Sequence, residues 1–365
     1  MHRHIGGRSL ATAAAVLLAA CGEGAGRGGR CEILSERVVR LGGEGEEGSF
    51  LGWPRVSPLV GEGYYLGNAL WTASREPPMV FDRRGRYLRA LGPKGGGPGE
   101  YRHPEHFLRY LGDSVLVLDR DGGRAVVLDA QLGVGRSLPF VSMASGVVVL
   151  DDGSLVLAES NFSTTRPIQV FAPDGIRRTD FGLNAPPTRT TFAIRQIARS
   201  GPRTIWAIHS YGDYEFEEWD VEGNRLRTLR PEREWFPPSR PRVAATPTQP
   251  GSPLPLGMFQ GTEGHLWAVL MVSDPEWHEG LGPMVRSVEG EYYPTIDHRK
   301  AWDGLVDVID TTTGASIASR RFDLPIIQVV EPGLVALGRE TIDGWWTVEL
   351  TRLRLSPGCV SPRKD

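Results

Sequence analysis

The amino-acid sequence predicts an all-β protein, a six-bladed β-propeller of four-stranded blades in which an N-terminal outer strand completes the last blade. Two observations predict this fold. A pattern of about 45 residues recurs along the chain, which is the length of one four-stranded blade. The 365 residues also include 46 Gly and 28 Pro but only 6 Met, and their short apolar runs argue against a bundle of long helices.

Each repeat opens with a glycine, continues with a short β-branched or aromatic run, and later reaches a turn that contains Asp and Gly. The opening glycines are Gly63, Gly112, Gly153, Gly201, Gly264 and Gly333, and the turn aspartates are Asp82, Asp129, Asp174, Asp220 and Asp310. Asp and Gly suit hairpin turns because Gly accepts a positive φ and Asp bonds to the nearby backbone. The first four aspartates are 45 to 47 residues apart and the last follows after 90, which indicates an insertion within the fifth unit.

The two ends of the chain supply the parts of one blade. The sixth unit runs from Ile326 to Leu350 without an outermost strand, whereas residues 36–42 read as a strand without a unit. Joining them completes six blades and removes an open edge. Cys31 then precedes the N-terminal strand and Cys359 follows the incomplete blade. We expect these two cysteines to form a disulfide that closes the ring; two free thiols are the alternative.

Residues 1–20 have the layout of a lipoprotein signal peptide, with a basic start and a short apolar run. The run is too short to span a bilayer and ends in Leu18-Ala19-Ala20-Cys21. This ending resembles the bacterial lipobox, and the resemblance implies that Cys21 is acylated, with palmitate as one of the acyl chains. An ordinary cleavage site with an incidental cysteine is the alternative.

The remaining chain divides into a Gly-rich tether, residues 21–30, and a single propeller domain, residues 31–360. The lipid anchor predicts a protein of the cell envelope that faces the periplasm or the cell surface. Gly22 stands where many lipoproteins of the inner membrane carry Asp, so analogy favours the outer membrane over the inner one.

The charge balance argues against one class of partner. The formal net charge is −3, so the chain has no excess of Lys and Arg to neutralise phosphates, and we expect no nucleic-acid binding. The expected partners are the membrane, through the lipid, and an unknown small molecule, peptide or envelope protein. We expect a monomer.

One segment carries a family resemblance. The run Leu91-Gly92-Pro93-Lys94-Gly95-Gly96-Gly97-Pro98-Gly99-Glu100-Tyr101, followed by Pro104, resembles a motif of six-bladed β-propeller lipoproteins in the NHL and gluconolactonase-like superfamily. The resemblance covers roughly residues 31–359 and implies the fold. It does not imply a function, because propellers include hydrolases, lyases, binding modules and scaffolds.

Three long excursions indicate where a ligand could bind. Residues 93–104 and 231–257 connect successive blades, and residues 273–304 lie between the second and third strands of unit five. In a propeller these two kinds of connection emerge on the same face, around the central channel. The insert 273–304 is rich in aromatic, histidine and acidic residues, which suggests a wall or lid over a ligand, although a loop that packs on itself has the same composition.

The candidate ligand-binding residues lie in this insert or at the ends of second strands and the loops that follow. They are Asp119, Glu159, Asn161, His209, Asp274, His278 and Arg339. The sequence assigns no cofactor, although the oxygen ligands among them would suit a divalent cation such as Ca²⁺. His103-Pro104-Glu105-His106 contains metal-binding residue types, but Pro104 prevents the helical spacing of an H-E-x-x-H site, which favours a structural role.

Two hypotheses of different classes follow. The first is a lipid-anchored binding or scaffold module of the envelope, with its ligand site at the channel mouth under the insert 273–304. The alternative is a metal-dependent hydrolase or lyase of the gluconolactonase or NHL type, with its site at the central channel. The sequence assigns neither catalytic residues nor metal ligands.

Overall fold

The computed structural model describes residues 31–43, 48–70, 77–139, 144–159, 166–182, 195–209, 213–236, 249–261, 263–286, 292–341 and 343–359. Cys21 and Asn161 therefore lie outside the described residues. Among the described residues, no helix is long and apolar enough to cross a membrane.

Nearly all regular structure is β-strand. Two strands precede the first complete blade, β1 (Ile33–Leu41) and β2 (Phe50–Leu51). Blade 1 contains β3 (Trp53–Val56), β4 (Tyr65–Leu70), β5 (Met79–Phe81) and β6 (Tyr87–Ala90). Blade 2 contains β7 (Pro104–Arg109), β8 (Val115–Asp119), β9 (Arg124–Leu128) and β10 (Val134–Pro139). Blade 3 contains β11 (Ala144–Val149), β12 (Leu155–Glu159), β13 (Ile168–Phe171) and β14 (Arg177–Phe181).

The second half of the ring repeats this plan with one insertion. Blade 4 contains β15 (Arg195–Arg199), β16 (Thr204–His209), β17 (Phe216–Asp220) and β18 (Arg225–Leu229). Blade 5 contains β19 (Leu254–Gln260), β20 (Leu266–Ser273), β23 (Trp302–Ile309) and β24 (Ser316–Phe322). Its insert holds a 3-10 helix (Trp277–Gly280), the hairpin β21 (Leu281–Arg286) and β22 (Tyr292–Ile296), and helix α1 (His298–Ala301).

Blade 6 joins the two ends of the chain, as the sequence predicts. It contains β25 (Ile326–Glu331), β26 (Leu334–Glu340) and β27 (Trp345–Leu355), and β1 is its outermost strand. β1 pairs antiparallel with β27, from Ile33 opposite Leu355 to Leu41 opposite Val348. A disulfide joins Cys31 and Cys359 just beyond this pairing, with their Cα atoms 5.0 Å apart. Six four-stranded antiparallel blades in a ring therefore confirm the predicted fold.

The turn aspartates owe their repetition to local hydrogen bonding. Oδ1 of Asp82 accepts the backbone N–H groups of Arg84 and Arg86, at 2.9 and 3.0 Å. Oδ1 of Asp220 accepts the corresponding N–H groups two and four residues on, at 3.0 and 2.8 Å. Gly85 in the same turn has φ +80°, and a Cβ there would lie 2.0 Å from the carbonyl oxygen of Arg40. Each repeat therefore carries the residues that its hairpin turn requires.

The core lies between neighbouring blades. Leu66 and Val80 of blade 1 pack with Phe107 and Val117 of blade 2, and corresponding clusters join the later blades. Side chains of the inner strands also hold neighbours together: the Gln328 amide bonds to the backbone N–H and C=O of Val56, each at 2.9 Å. The ring is thus a rigid scaffold whose first strands are held in place around a central channel.

The antiparallel strand order defines two faces. The turns between first and second strands and between third and fourth strands form one face, which we call the turn face. The connections between second and third strands and between blades form the opposite one, the loop face. The described ends of all three predicted excursions lie at the loop face. The disulfide lies at the turn face, because Leu353 bonds to Gly333 in the turn before β26.

Candidate functional site

The central channel contains a cavity of about 560 Å³. The first strand of each blade contributes to its wall. These strands are β3, β7, β11, β15, β19 and β25. The cavity reaches the turn face, where Gly112, Asp151 and Pro332 line its end. A concave site of this size on a rigid scaffold is typical of small-molecule binding.

Arg55 is the residue that distinguishes this cavity. Pro54 and Val56 are buried, so the alternation along β3 turns Trp53 and Arg55 towards the channel. The Arg55 Nε atom is buried and has no hydrogen-bond partner among the residues that the structure describes. Burial lowers the pKa of the Arg55 guanidinium, and the charge of Glu105 acts in the opposite direction. The channel wall therefore holds a buried cation whose Nε–H donor has no partner among the described residues.

Glu105 does not neutralise Arg55, because other groups already bind its carboxylate. Arg120 Nη1 lies 2.6 Å from Glu105 Oε1, and His103 Nε2 lies 3.3 Å from the same oxygen. Arg120 also contacts Asp121, with Nε 3.1 Å from Oδ1. Burial raises the pKa of Glu105, whereas the charges of Arg120 and Arg55 lower it. The sequence His103-Pro104-Glu105-His106 thus supplies a charge network beside the channel.

His106 adds a neutral imidazole to the cavity. Its Nε2 atom lies 3.0 Å from the carbonyl oxygen of Ala144 on the neighbouring blade. Burial lowers the pKa of His106 to about 4, and the charge of Arg55 lowers it further, against the opposing effect of the Ala144 contact. At neutral pH the channel therefore carries the positive charge of Arg55 without a second one from His106.

Some of the remaining polar side chains of the wall already form hydrogen bonds within the protein. Ser145 donates to the carbonyl oxygen of Arg195 at 2.8 Å, and the Gln328 amide holds Val56. The side-chain amide of Gln196 lines the cavity and has no partner among the described residues. Arg55 and Gln196 are thus the polar side chains available to a ligand.

The insert 273–304 packs at the loop-face end of the channel. Trp53 of blade 1 contacts His298 of α1, with ring centroids 5.9 Å apart, and Trp346 of blade 6, at 5.3 Å. Ala301 and Trp302 pack with Met271 over the inner strand of blade 5, against Leu254 and Leu256. The insert therefore leaves blade 5 and reaches the strand of blade 1 that carries Arg55.

Four residues predicted from the sequence lie at or just beyond the loop-face ends of second strands. Asp119 accepts the backbone N–H of His103 at 2.7 Å, and Glu159 accepts from Gln169 at 2.6 Å. Asp274 Oδ1 accepts the N–H of Glu276 at 2.6 Å. Burial lowers the pKa of His209 to about 4, with a further contribution from the charge of Arg195. A first strand stands between each of these residues and the channel.

The other two described candidates lie elsewhere. Arg339 lines a separate groove of about 1010 Å³ on blade 6, together with Arg37, Arg299 and Glu349. His278 is exposed on the 3-10 helix of the insert. Among the described ranges, no group of three or more His, Cys, Asp or Glu side chains could hold a metal ion.

Arg55 is not among the residues predicted from the sequence, although its position before an opening glycine indicates an innermost strand. The segment that precedes an opening glycine pairs with the run that follows it, so it must be the innermost strand. Trp53-Pro54-Arg55-Val56 precedes Gly63 in this way, and its charged residue is the one that enters the channel.

Comparisons with known proteins bear on the fold. No protein-family model and no curated protein matches the chain. A solved structure of a DUF4221 family member from Bacteroides vulgatus has a TM-score of 0.60 at 9% identity, covering 90% of this chain and 99% of that one. The protein is a six-bladed β-propeller.

Two further structures share the ring with lower scores. Virginiamycin B lyase from Staphylococcus aureus has a TM-score of 0.44 at 10% identity, covering 89% of this propeller and 100% of the lyase. A gluconolactonase from Xanthomonas campestris has a TM-score of 0.43 at 12% identity, covering 85% of this chain and 90% of its own. At such identities the likeness concerns the fold alone.

Proposed function

We propose that this propeller is a ligand-binding module of the cell envelope that holds an anionic ligand in its central channel. Arg55 is the observation that carries the proposal: it lines the cavity, and in the described part of the chain its buried Nε has no hydrogen-bond partner. A carboxylate or phosphate would supply the missing acceptor in the planar geometry that Arg favours.

The charge of Arg55 favours an anion over a cation in the inner part of the cavity, and His106 adds no second charge there. His106 is neutral at neutral pH because burial lowers its pKa to about 4. Gln196 offers a further amide to the ligand. The site lies under the insert 273–304, since α1 contacts Trp53, which is two residues before Arg55 on the same side of β3. The insert is thus placed to limit the size of the ligand.

Calorimetric titration tests this proposal with octanoate, 2-oxoglutarate, and the tripeptide Ala-Ala-Ala compared with its C-terminal amide. We expect at least one of the carboxylates to bind, and Arg55→Gln to weaken that binding about tenfold or more, since one charge-assisted hydrogen bond is worth about 1.5–3 kcal/mol. Arg136→Gln is the matched control, because Arg136 is exposed on the outer strand β10. Equal binding by both variants would show that the anion binds elsewhere.

The alternative, a metal-dependent hydrolase or lyase, fits the channel less well. A cation in the cavity would meet the positive charge of Arg55, and the described carboxylates and histidines form no group of three that could ligate it. Metal analysis of the purified protein tests this directly: a stoichiometric, tightly held divalent ion would favour the enzyme.

We propose further that the protein is anchored in the outer membrane through acylated Cys21. The Leu18-Ala19-Ala20-Cys21 sequence supports the anchor, and the Cys31–Cys359 disulfide supports an oxidising compartment. A Cys21→Ala protein should leave the membrane fraction and no longer incorporate an alkyne-labelled palmitate. Unchanged membrane association would contradict the anchor.

A further inference from the structure

The channel wall is more apolar than binding of a small polar anion requires. Five aliphatic side chains from four blades line the cavity and are only half-buried, namely Leu108, Val147, Val149, Leu256 and Val329. Their exposed surface lies inside the cavity, where water wets it at a cost of about 25 cal/mol per Å². A ligand with an apolar body would recover this free energy, whereas a small hydrophilic anion would not.

The charged side chains at the entrance of the cavity form ion pairs, and Arg55 lies deeper in the channel. At the turn face, Arg109 pairs with Glu331 at 3.2 Å, and Arg199 forms an ion pair with Asp151. Arg109, Arg199, Asp151 and Glu331 of the cavity wall are thus paired, whereas Arg55 has no ion-pair partner among the described residues. A negative group is therefore attracted past the paired charges of the entrance to the inner end of the channel.

Cys31, where the predicted tether joins the propeller, lies on the face where this cavity opens. The Cys31–Cys359 disulfide is at the turn face, at the outer edge of blade 6. Nine residues, 22–30, separate Cys31 from Cys21, and a Gly-rich chain of that length spans about 15–18 Å on average. Four strands at about 4.8 Å spacing give a blade a similar width. An acyl group on Cys21 would therefore keep the channel entrance close to the bilayer surface.

Exposed apolar residues are concentrated on the same face. Of the eight large hydrophobic side chains that are exposed in the described ranges, five lie in the turns of the turn face or within two residues of them. They are Leu88, Leu111, Val134, Ile176 and Leu226. Leu111 lies at the cavity entrance, whereas the other four lie near the turns before the outermost strands. The exposed apolar residues are therefore spread over the turn face, which suits a surface that works beside lipid.

From these observations we infer that the ligand of the channel is a single-chain anionic amphiphile, such as a fatty acid, that enters from the membrane-facing turn face. Its head group binds Arg55 and Gln196, and its alkyl chain lies along the five aliphatic side chains and extends towards the entrance. The inference rests on the proposed function, because it names the ligand class of the Arg55 site.

Displacement of 11-(dansylamino)undecanoic acid tests the inference. The protein is the full chain with Cys21→Ser, which removes only the point of lipid attachment. We expect decanoate to displace the probe at least tenfold more tightly than succinate does. Arg55→Gln should weaken decanoate binding about tenfold and change decanol binding less than twofold, since decanol lacks the charge.

A second pair of variants tests the position of the alkyl chain. Val147→Phe, which narrows the channel without adding charge, should weaken decanoate and decanol alike. Val38→Phe is the matched control, because Val38 is exposed on β1, the outermost strand of blade 6. Circular dichroism and thermal unfolding verify that each variant is folded, and Leu108→Phe replaces Val147→Phe if that variant is not.

The outcomes separate this inference from the proposed function. If succinate binds as tightly as decanoate and both depend on Arg55, the anion site stands and the amphiphile is wrong. If neither Arg55→Gln nor Val147→Phe changes the affinity for decanoate, the lipid binds outside the channel and the inference is overturned. If none of the anions binds, both proposals are wrong.

Discussion

At the scale of single residues, two buried charges have opposite surroundings. Asp307 accepts hydrogen bonds from Tyr214 at 3.0 Å, from Ser316 at 2.6 Å, and from Arg233 through both Nε and Nη2. In the described part of the chain, Arg55 has no such bond at Nε. A satisfied buried charge indicates a structural role, whereas an unsatisfied donor beside a cavity is a candidate binding group.

Asp307 should therefore be essential for stability. Replacing it with Ala leaves Arg233 half-buried without its partner, so we expect the free energy of unfolding to fall by about 3 kcal/mol in urea denaturation. Glu215→Ala is the control, because Glu215 pairs with Arg230, whose side chain is 75% exposed, and such surface pairs contribute at most about 1 kcal/mol. Equal losses in the two variants would contradict the structural role of Asp307.

His106 predicts how stability depends on pH. Its pKa is about 4 in the folded protein and about 6.5 when unfolded, so the unfolded chain binds more protons between these values. Stability should be full above about pH 6.5 and fall as the pH decreases towards 4. His106→Gln should reduce the loss between pH 7 and pH 5 by about 1–2 kcal/mol, measured by denaturation at each pH.

His278→Gln is the control for this experiment, because His278 is exposed on the insert. It should leave the pH dependence unchanged. Burial also lowers the pKa of His209 to about 4, so His209 contributes to the pH dependence in the same direction. His106→Gln therefore removes only part of the slope of stability against pH. A slope identical to that of the parent protein would show that His106 titrates normally.

At the scale of elements, the insert is an addition to a complete blade. β20 pairs directly with β23 from Leu266 opposite Ile309 to Ser273 opposite Trp302, so blade 5 does not need the intervening residues. Replacing residues 276–299 by a short Gly-Ser turn should preserve the far-UV spectrum. The melting temperature should fall by several degrees, since Trp53 loses its contact with His298.

The same replacement tests the role of the insert at the site. Trp53 should become more accessible, which acrylamide quenching of fluorescence measures, and anion affinity should change because the loop-face end of the channel is less covered. A replacement that unfolds the propeller would show that the insert belongs to the core.

At the scale of the whole molecule, the ring closes at a seam, which consists of the β1–β27 pairing and the Cys31–Cys359 disulfide. The two cysteines are 328 positions apart. The Cys31→Ser/Cys359→Ser protein should lose up to about 5 kcal/mol of stability, because the disulfide restricts the unfolded chain most when it closes a long loop. Blade 6 should open first, so hydrogen exchange should rise in β1 before β8 or β16. Uniform exchange across all blades would contradict opening at the seam.

Much of the fold could be predicted from the sequence for a local reason. The Asp and Gly of each hairpin turn act within four residues, as Asp82 and Gly85 show, so their spacing counts the blades directly. The N-terminal strand β1 and the cysteines near the two ends of the chain then determine how the ring closes, because an unpaired edge strand must find a partner.

The site depended on contacts that are distant in the chain. The sequence predicts Asp119 as a ligand-binding candidate; in the structure it accepts the backbone N–H of His103, and the first strand of its blade lies between it and the channel. The Gln328 amide bonds to Val56, 272 residues away, while Nε of the neighbouring Arg55 has no partner among the described residues. The sequence alone determined the number of blades and their closure, since turns and edges are local. Only the tertiary structure decided which charge was left unpaired, because burial and partners depend on how the six blades pack.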